Sequence, residues 1–352
     1  MKTVNRYWLL LFFCISCWSC SSPETEKYQY NRDNVIKVMD KIKEIKFDSL
    51  TFSKYCKLYI IDQYLLIADH NTYDHLINIF DKNTFQYITS TAYPGFAPDE
   101  IGNMGPIGID QVRRRFDVTD YEKEIIFSYN LDSVLTNPSY IPEKKIKINR
   151  NKVLEQYQYI GDSTCIGAIT EHIIYNNFKM YPGKLNTKNG ELTPMPYVHP
   201  LIKNKQIAFD VSPELGLYVE CYQGQNLMTI CSLDGTLKYN IHGGKYWMEN
   251  QEGELKYYQQ VAFGNDKIFA LLLKNNASVI DPILGSIENL ATKILVFDLN
   301  GDYIATLETR HHIRYFCYDK ENNRILLNIN DNMQFGYIDL DGLVVVPNKK
   351  DS

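Results

Sequence analysis

The sequence predicts an all-β chain in which one four-stranded unit repeats about a central axis, and three observations carry that expectation. First, short apolar or alternating runs dominate the body: residues 57–62 (KLYIID), 64–68 (YLLIA), 267–273 (KIFALLL) and 324–329 (RILLNI), each bounded by Asp, Asn or Gly. Such runs and boundaries are strand and turn signals. Second, one kind of turn returns at Asn83-Thr84, Asp132-Ser133, Asn189-Gly190, Asp234-Gly235, Asn300-Gly301 and Asp341-Gly342, at a mean spacing of about 52 residues. Asn-Gly and Asp-Gly favour the primed two-residue hairpin turns. Third, polar turns at Gln63, Arg114, Ser163, Leu215, Asp266 and Asn323 recur at intervals of 51, 49, 52, 51 and 57 residues. A lone four-stranded sheet covers neither of its faces, whereas repetition about an axis lets neighbouring sheets cover one another. The predicted architecture is therefore a six-bladed β-propeller of four-stranded blades. Two separate sandwich domains are the competing arrangement, and they leave the period unexplained.

In chain order, Lys2 and Arg6 precede an apolar run at residues 7–15 (YWLLLFFCI). That run is too short to span the roughly 30 Å hydrocarbon core of a bilayer as a helix and has the form of an export signal. It ends in a cluster of small residues and cysteines, residues 16–22 (SCWSCSS), that resembles a bacterial lipobox, with Cys17 and Cys20 as the competing lipidation sites. Trp18 is bulky beside a cut before Cys20, which favours Cys17; an ordinary cleaved secretory signal is the alternative. Residues 1–20 are assigned to this leader, 21–33 to a polar tether and 34–352 to the propeller. Val35, Val38, Met39, Ile42 and Ile45 carry the one clear 3.6-residue pattern, readable as a helix or as a lead-in to a strand. The fifth unit displays the blade plan best, with strands at 258–263, 267–274, 292–299 and 302–308. The last strand is expected at 343–346, and a strand within residues 42–50 is expected to close the ring against the last blade.

Composition narrows the function. Of 352 residues, 37 are Lys or Arg and 42 are Asp or Glu, a formal net charge of −5. This balance lacks the basic excess that draws a protein to nucleic acid or to anionic lipid, so no nucleic-acid partner is expected and membrane contact is expected only through the N-terminal lipid. Beyond the leader, Cys56, Cys165, Cys221, Cys231 and Cys317 are an odd set without a Cys-x-x-Cys pair, which argues against a zinc site or a full disulfide framework. Cys221 and Cys231 could face one another across a hairpin, and burial of all five as small hydrophobes is the simpler reading.

The leader, residues 40–47 (DKIKEIKF), residues 79–84 (IFDKNT) and the Pro/Gly loop at 93–101 (YPGFAPDEI) together resemble the TolB-like six-bladed β-propeller lipoproteins of Bacteroidales. In that family the loop typically reads Gly-x-Gly-Pro-Gly-Glu before an aromatic; here Pro98 and Glu100 match and the glycines do not. The resemblance implies the fold, a lipid anchor and an outer-membrane location, with surface exposure suggested by Glu24 and Glu26 after the lipobox. It implies no established reaction, and propellers host lyases, lactonases, glycan binders and scaffolds alike.

The sequence has no Walker-type loop, no His-Glu-x-x-His, no Gly-x-Ser-x-Gly and no EF-hand loop. Propeller sites are instead assembled from distant loops at one mouth of the channel. Those loops hold His70, His75, His199, His242, His311 and His312, which could converge on a metal if they approach one another and otherwise are merely loop residues. The same mouth gathers Tyr93, Asp99, Glu100, Tyr246, Trp247, Arg310 and Arg314, and tyrosine and tryptophan suit sugar stacking and protein interfaces. An insertion at 275–291 could cap the channel. Arg113-Arg114-Arg115 falls on the opposite face as a solvated turn. Two functions follow: a non-catalytic envelope scaffold binding a glycan or protein partner, or a metal-dependent lyase or hydrolase. No cofactor is assigned.

Overall fold

The computed structural model describes residues 25–344, apart from 48–49, 138, 175–176, 203–205, 244–256, 274–278, 282–284 and 288–290. Three short strands open it: β1 (Glu26–Tyr28), β2 (Val35–Lys37) and β3 (Lys43–Glu44), with a single 3-10 turn at Met39–Lys41. Four antiparallel meanders of four strands follow. They are β4 (Cys56–Ile61), β5 (Tyr64–Asp69), β6 (Ile77–Asp81) and β7 (Tyr87–Thr91), then β8 (Met104–Asp110), β9 (Arg115–Asp120), β10 (Ile125–Asn130) and β11 (Glu143–Lys147). Next come β12 (Lys152–Tyr159), β13 (Thr164–Ile174), β14 (Asn177–Asn186) and β15 (Leu192–Pro194), and then β16 (Ile207–Ser212), β17 (Leu217–Tyr222), β18 (Leu227–Ser232) and β19 (Leu237–His242). The remaining sheet runs through β20 (Tyr258–Phe263), β21 (Lys267–Leu272), β24 (Ala291–Asp298), β25 (Tyr303–Asp319), β26 (Arg324–Ile329) and β27 (Phe335–Asp339), while β22 (Val279–Asp281) and β23 (Gly285–Ile287) pair separately.

Strand β25 serves two meanders. Its first half pairs mainly with β24 and its second half with β26, and the strand bends at Arg310, whose φ is +58°. First strands adjoin one another: β8 lies against β12, β12 against β16, β16 against β20, and β25 against both β20 and β4. Side chains stitch them together. Gln111 bonds the backbone of Ile60 and Asp62, Gln158 reaches Asp210 at 3.3 Å, Asp210 accepts from Phe263 N at 2.7 Å, and Gln260 exchanges two bonds with the Phe316 backbone. Asn328 donates to Cys56 O at 2.7 Å, linking the end of the chain to its first meander. Apolar cores occupy the gaps: Ile77 and Ile79 pack with Ile107 and Val118, for example, and Leu326 and Phe335 pack with Leu58, Ile67 and Phe80. Burial on both faces explains why β5 and β26 read as nearly continuous apolar runs rather than as strict alternations.

The hairpins after each first strand fall where the second set of polar turns lies, with left-handed backbone at Asp62, Arg114, Gly216 and Asn323. Several expectations need correction. Asp132-Ser133 is not a hairpin turn but lies in helix α1 (Leu131–Thr136), which Asn130 caps by accepting from Ser133 N. The last strand among the described residues is β27, ending at Asp339; of the strand expected at 343–346, Leu343 and Val344 lie in a turn and the rest falls outside the described residues. The 3.6-residue pattern near the N-terminus is strand and 3-10 turn rather than helix, because its apolar residues pack against sheet edges. Part of the expected tether is likewise structure: Glu26–Tyr28 runs parallel to β19, from Glu26 opposite Asn240 to Tyr28 opposite His242. Strand β2 pairs parallel with β25, and β3 pairs antiparallel with β27 through Lys43 and Tyr337.

Cys221 faces Met228 and Cys231 faces Tyr218, and among the described residues no disulfide joins any of the five cysteines. Burial pushes the thiols of Cys56, Cys165 and Cys317 far up, so they act as inert packing groups. The insertion at 275–291 is described only in β22 and β23 and in Ala291, and its capping role lies outside the described residues. Cys17, Cys20, Tyr246 and Trp247 also lie outside them.

Candidate functional site

In an antiparallel meander, the loop after the second strand and the connection to the next meander share one end of the sheet. That end carries Tyr73 between β5 and β6, and Tyr93, Phe96, Asp99 and Glu100 between β7 and β8. Tyr73 is fully exposed and Phe96 is 79% exposed; Tyr93 is half exposed, with the His75 ring 4.3 Å from its own. Tyr55 stands at the same end, with Arg314 and Lys54 each about 5 Å from its ring centre. Asp69 holds this rim in shape, accepting bonds from Ser53 and Asn71. Gln334 and Asn328 fix residues 52–56 through the carbonyls of Phe52, Ser53 and Cys56.

The Pro/Gly loop is a self-closed turn. Glu100 Oε2 accepts from Ala97 N at 2.8 Å, and Lys123 donates to the carbonyls of Ala97 and Glu100. Gly95 has φ +152°, and a Cβ there would stand 2.0 Å from Glu100 Oε2. Glu100 therefore shapes the loop rather than offering a free carboxylate, and what the loop presents is Tyr93 and Phe96.

The histidines do not gather. His70 Nδ1 lies 3.2 Å from Met104 O, and burial followed by the charge of Lys57 lowers its pKa. His75 pairs with Asp74, while His311 and His312 share Asp331. His199 and His242 are buried with ring centres 6.4 Å apart, His242 bonded to Glu26 and stacked on Tyr28 at the outer sheet edge. Among the described residues no three His, Cys, Asp or Glu side chains are placed to hold a metal together. Arg314 is 5% exposed and donates to Asn330, so it supports the rim from beneath; Arg310 is exposed at the bend of β25. On the opposite face Arg113 pairs with Asp110 and Asp162, and Arg114 with Asp62 and Asp132. The basic run thus ties neighbouring meanders together instead of forming a phosphate site.

Below the rim, the first strands carry half-buried polar groups that the sequence did not single out. Lys57 and Tyr59 are on β4, Glu155 is on β12 and Tyr315 is on β25, while Tyr121 donates to Glu155 Oε1 at 3.4 Å. Burial lowers the pKa of Lys57, partly offset by Glu155, and raises those of Tyr59 and Tyr121. A bulge at Gln156, with φ +48°, shifts the register between Glu155 and Gln158 and re-aims both side chains. The available signal was a lysine inside an otherwise apolar first strand, KLYII.

Fold and site together define a class: an all-β, propeller-like chain of repeated four-stranded sheets with an aromatic rim at one end. Among solved structures it is similar to a DUF4221 family member from Bacteroides vulgatus, with a TM-score of 0.60 at 12% identity over 84% of this chain and 94% of that one. It is also similar to a Bacteroides fragilis protein thought to be exported, with a TM-score of 0.52 at 11% identity over 86% and 87% of the two chains. A luciferin-regenerating enzyme matches with a TM-score of 0.52 at 10% identity over 84% and 93%. At these identities the likeness is one of fold alone. No protein-family model matches the sequence, and no curated protein matches it significantly. Among the described residues no helix is long and apolar enough to cross a membrane.

Proposed function

We propose that the chain is an exported, lipid-anchored six-bladed propeller that acts as a non-catalytic binding scaffold of the cell envelope. The stitched first strands, the apolar core shared by the first and last meanders, and the pairing of β3 with β27 support a closed ring of six blades. The leader with Cys17 and Cys20 supports export and anchoring in the outer membrane.

One observation carries the binding reading. Glu100, Arg314, His75, His311 and His312 are held in structural bonds, whereas Tyr73, Tyr93 and Phe96 stand exposed on the loops of the first meander and its connection to the second. Aromatic faces with polar edges, set on a rigid frame, suit a saccharide or a protein segment. The test is a thermal-unfolding screen of the full-length protein in detergent against polysaccharides and divalent metals, with and without chelator. A ligand that binds only the folded state raises the midpoint by mass action. The scaffold reading expects a saccharide or an envelope protein to stabilise the chain with chelator present. Loss of stability in chelator, restored by one metal, would favour the lyase or hydrolase reading instead.

A further inference from the structure

A cavity of about 210 Å3 lies where the second meander meets the third, and it shares no residue with the aromatic rim. Its buried lining comes from both sheets: Ile126 on β10, Val153 and Leu154 on β12, and Leu185 on β14. All four are apolar. Thr119 on β9, directly opposite Ile126, is the exception: it is 2% exposed, and its hydroxyl makes no hydrogen bond among the described residues. The Tyr157 hydroxyl lies near it, buried and unbonded as well. A buried hydroxyl without a partner is costly, and one set in the wall of a cavity marks where a ligand would supply that partner. The outer lining has the opposite character. Lys147 and Asn149 are exposed there and Lys152 is half-buried, and no acidic residue lines the cavity among the described residues.

We infer that this cavity is a second binding site, taking a small hydroxylated aromatic carboxylate with its ring among the four apolar side chains, its hydroxyl on Thr119 and its carboxylate by Lys147 and Lys152 at the mouth. The inference goes beyond the rim reading and depends on none of its residues. An apolar cavity of about 150 Å3 admits benzene, so about 210 Å3 leaves room for a ring with short substituents. Apolar walls with a few placed polar groups are the usual build of a small-molecule site. Lysine stems pack along such walls while their ammonium groups reach water, which sets positive charge at the open end. A sugar would leave most of its hydroxyls against Ile126, Val153, Leu154 and Leu185 without partners. A fatty acid would satisfy the mouth but leave the Thr119 hydroxyl unbonded.

The test is calorimetric titration of the full-length protein with 3-(4-hydroxyphenyl)propionate, with 3-phenylpropionate, which lacks the hydroxyl, and with 3-(4-hydroxyphenyl)propionamide, which lacks the charge. Wild type is expected to bind the hydroxy acid about tenfold more tightly than either analogue. Thr119→Val keeps the shape of the wall and should abolish the preference for the hydroxyl alone. The double variant Lys147→Met, Lys152→Met should abolish the preference for the charge alone, and it is expected to fold because neither lysine belongs to the buried lining. No binding of the hydroxy acid, equal affinity for it and either analogue, or a preference that survives its own variant would overturn the inference. Loss of binding in the double variant Tyr73→Ala, Phe96→Ala would overturn it too, by placing the probe on the rim. The wild-type comparison decides even if Thr119→Val does not fold.

Discussion

Asp210 sits where three meanders meet, accepting from Gln158 and from Phe263 N. Burial raises its pKa to about 6, outweighing those bonds. The folded state therefore holds the Asp210 proton more tightly than the unfolded chain does. Its contribution to stability is complete below the unfolded value near 3.8 and is lost as pH rises through about 6. Asp210→Asn is expected to flatten the stability profile across that window and to gain about 1–2 kcal/mol at pH 7, read by urea denaturation at a series of pH values. A profile unchanged from wild type would remove Asp210 as its cause. Asp319 behaves oppositely. Burial alone would raise its pKa, but Asn322, Lys82 and Arg324 hold it below the ordinary value, so its contribution is present above the unfolded pKa and lost as pH falls through the folded one. Asp319→Ala leaves Lys82 facing only the half-exposed Glu321 and should cost about 3–5 kcal/mol; Lys82→Met leaves Asp319 paired with Arg324 and should cost far less. Equilibrium unfolding of the two variants gives the comparison directly.

At the scale of elements, the N-terminal residues 26–45 are the least expected part of the molecule. They run along the outer edges of three successive meanders, pairing with β19, β25 and β27 in turn. Polar side chains secure the course: Lys27 to Asp302, Gln29 to Gly301 O and Tyr303 N, and Arg32 to Asn226 and Tyr258. An unpaired edge strand is an aggregation hazard, and this segment covers one edge and extends two more. Glu26 is its key contact, accepting from Asn240 and bonding His242 at 2.6 Å. Glu26→Ala is expected to destabilise the protein by about 1–3 kcal/mol, because it removes the acceptor from two buried groups. Removal of residues 1–33 should cost more, and equal urea midpoints for the shortened and full-length proteins would contradict the role assigned here. The sequence could not reveal this docking. Its strands have three, three and two residues, and the partners of Glu26 lie more than 200 positions away. By contrast β26 was legible to the residue, since an apolar run bounded by Asn is a local signal.

For the whole molecule, the repeat was readable because each hairpin after a first strand needs a tight turn, and the spacing of those turns survives changes elsewhere. Asp132-Ser133 misled because Asp and Ser serve a helix start as readily as a hairpin, and only Asn130, three residues before Ser133, distinguishes the two. The site was legible in part. Tyr93 was identified and sits on the exposed rim, but Tyr73 and Phe96 were passed over, being single aromatics in loops, and the histidines were grouped by loop class although their loops are spread around the molecule. Proximity between meanders depends on which first strands adjoin, and that is a property of the assembled sheets. Lys57 and Glu155 belong to this category, almost 100 positions apart in sequence.

The central claim is that the aromatic rim is a rigid, ready-made binding surface. The most direct measurement is calorimetric titration of the first stabilising ligand against wild type and the double variant Tyr73→Ala, Phe96→Ala. Both side chains are exposed, so the unfolding free energy should stay within about 1 kcal/mol of wild type and the midpoint should barely move. Affinity should fall at least tenfold, as expected when aromatic anchors worth about 1–2 kcal/mol or more are truncated. Unchanged affinity with an unchanged midpoint would contradict the account and move the binding surface away from the rim.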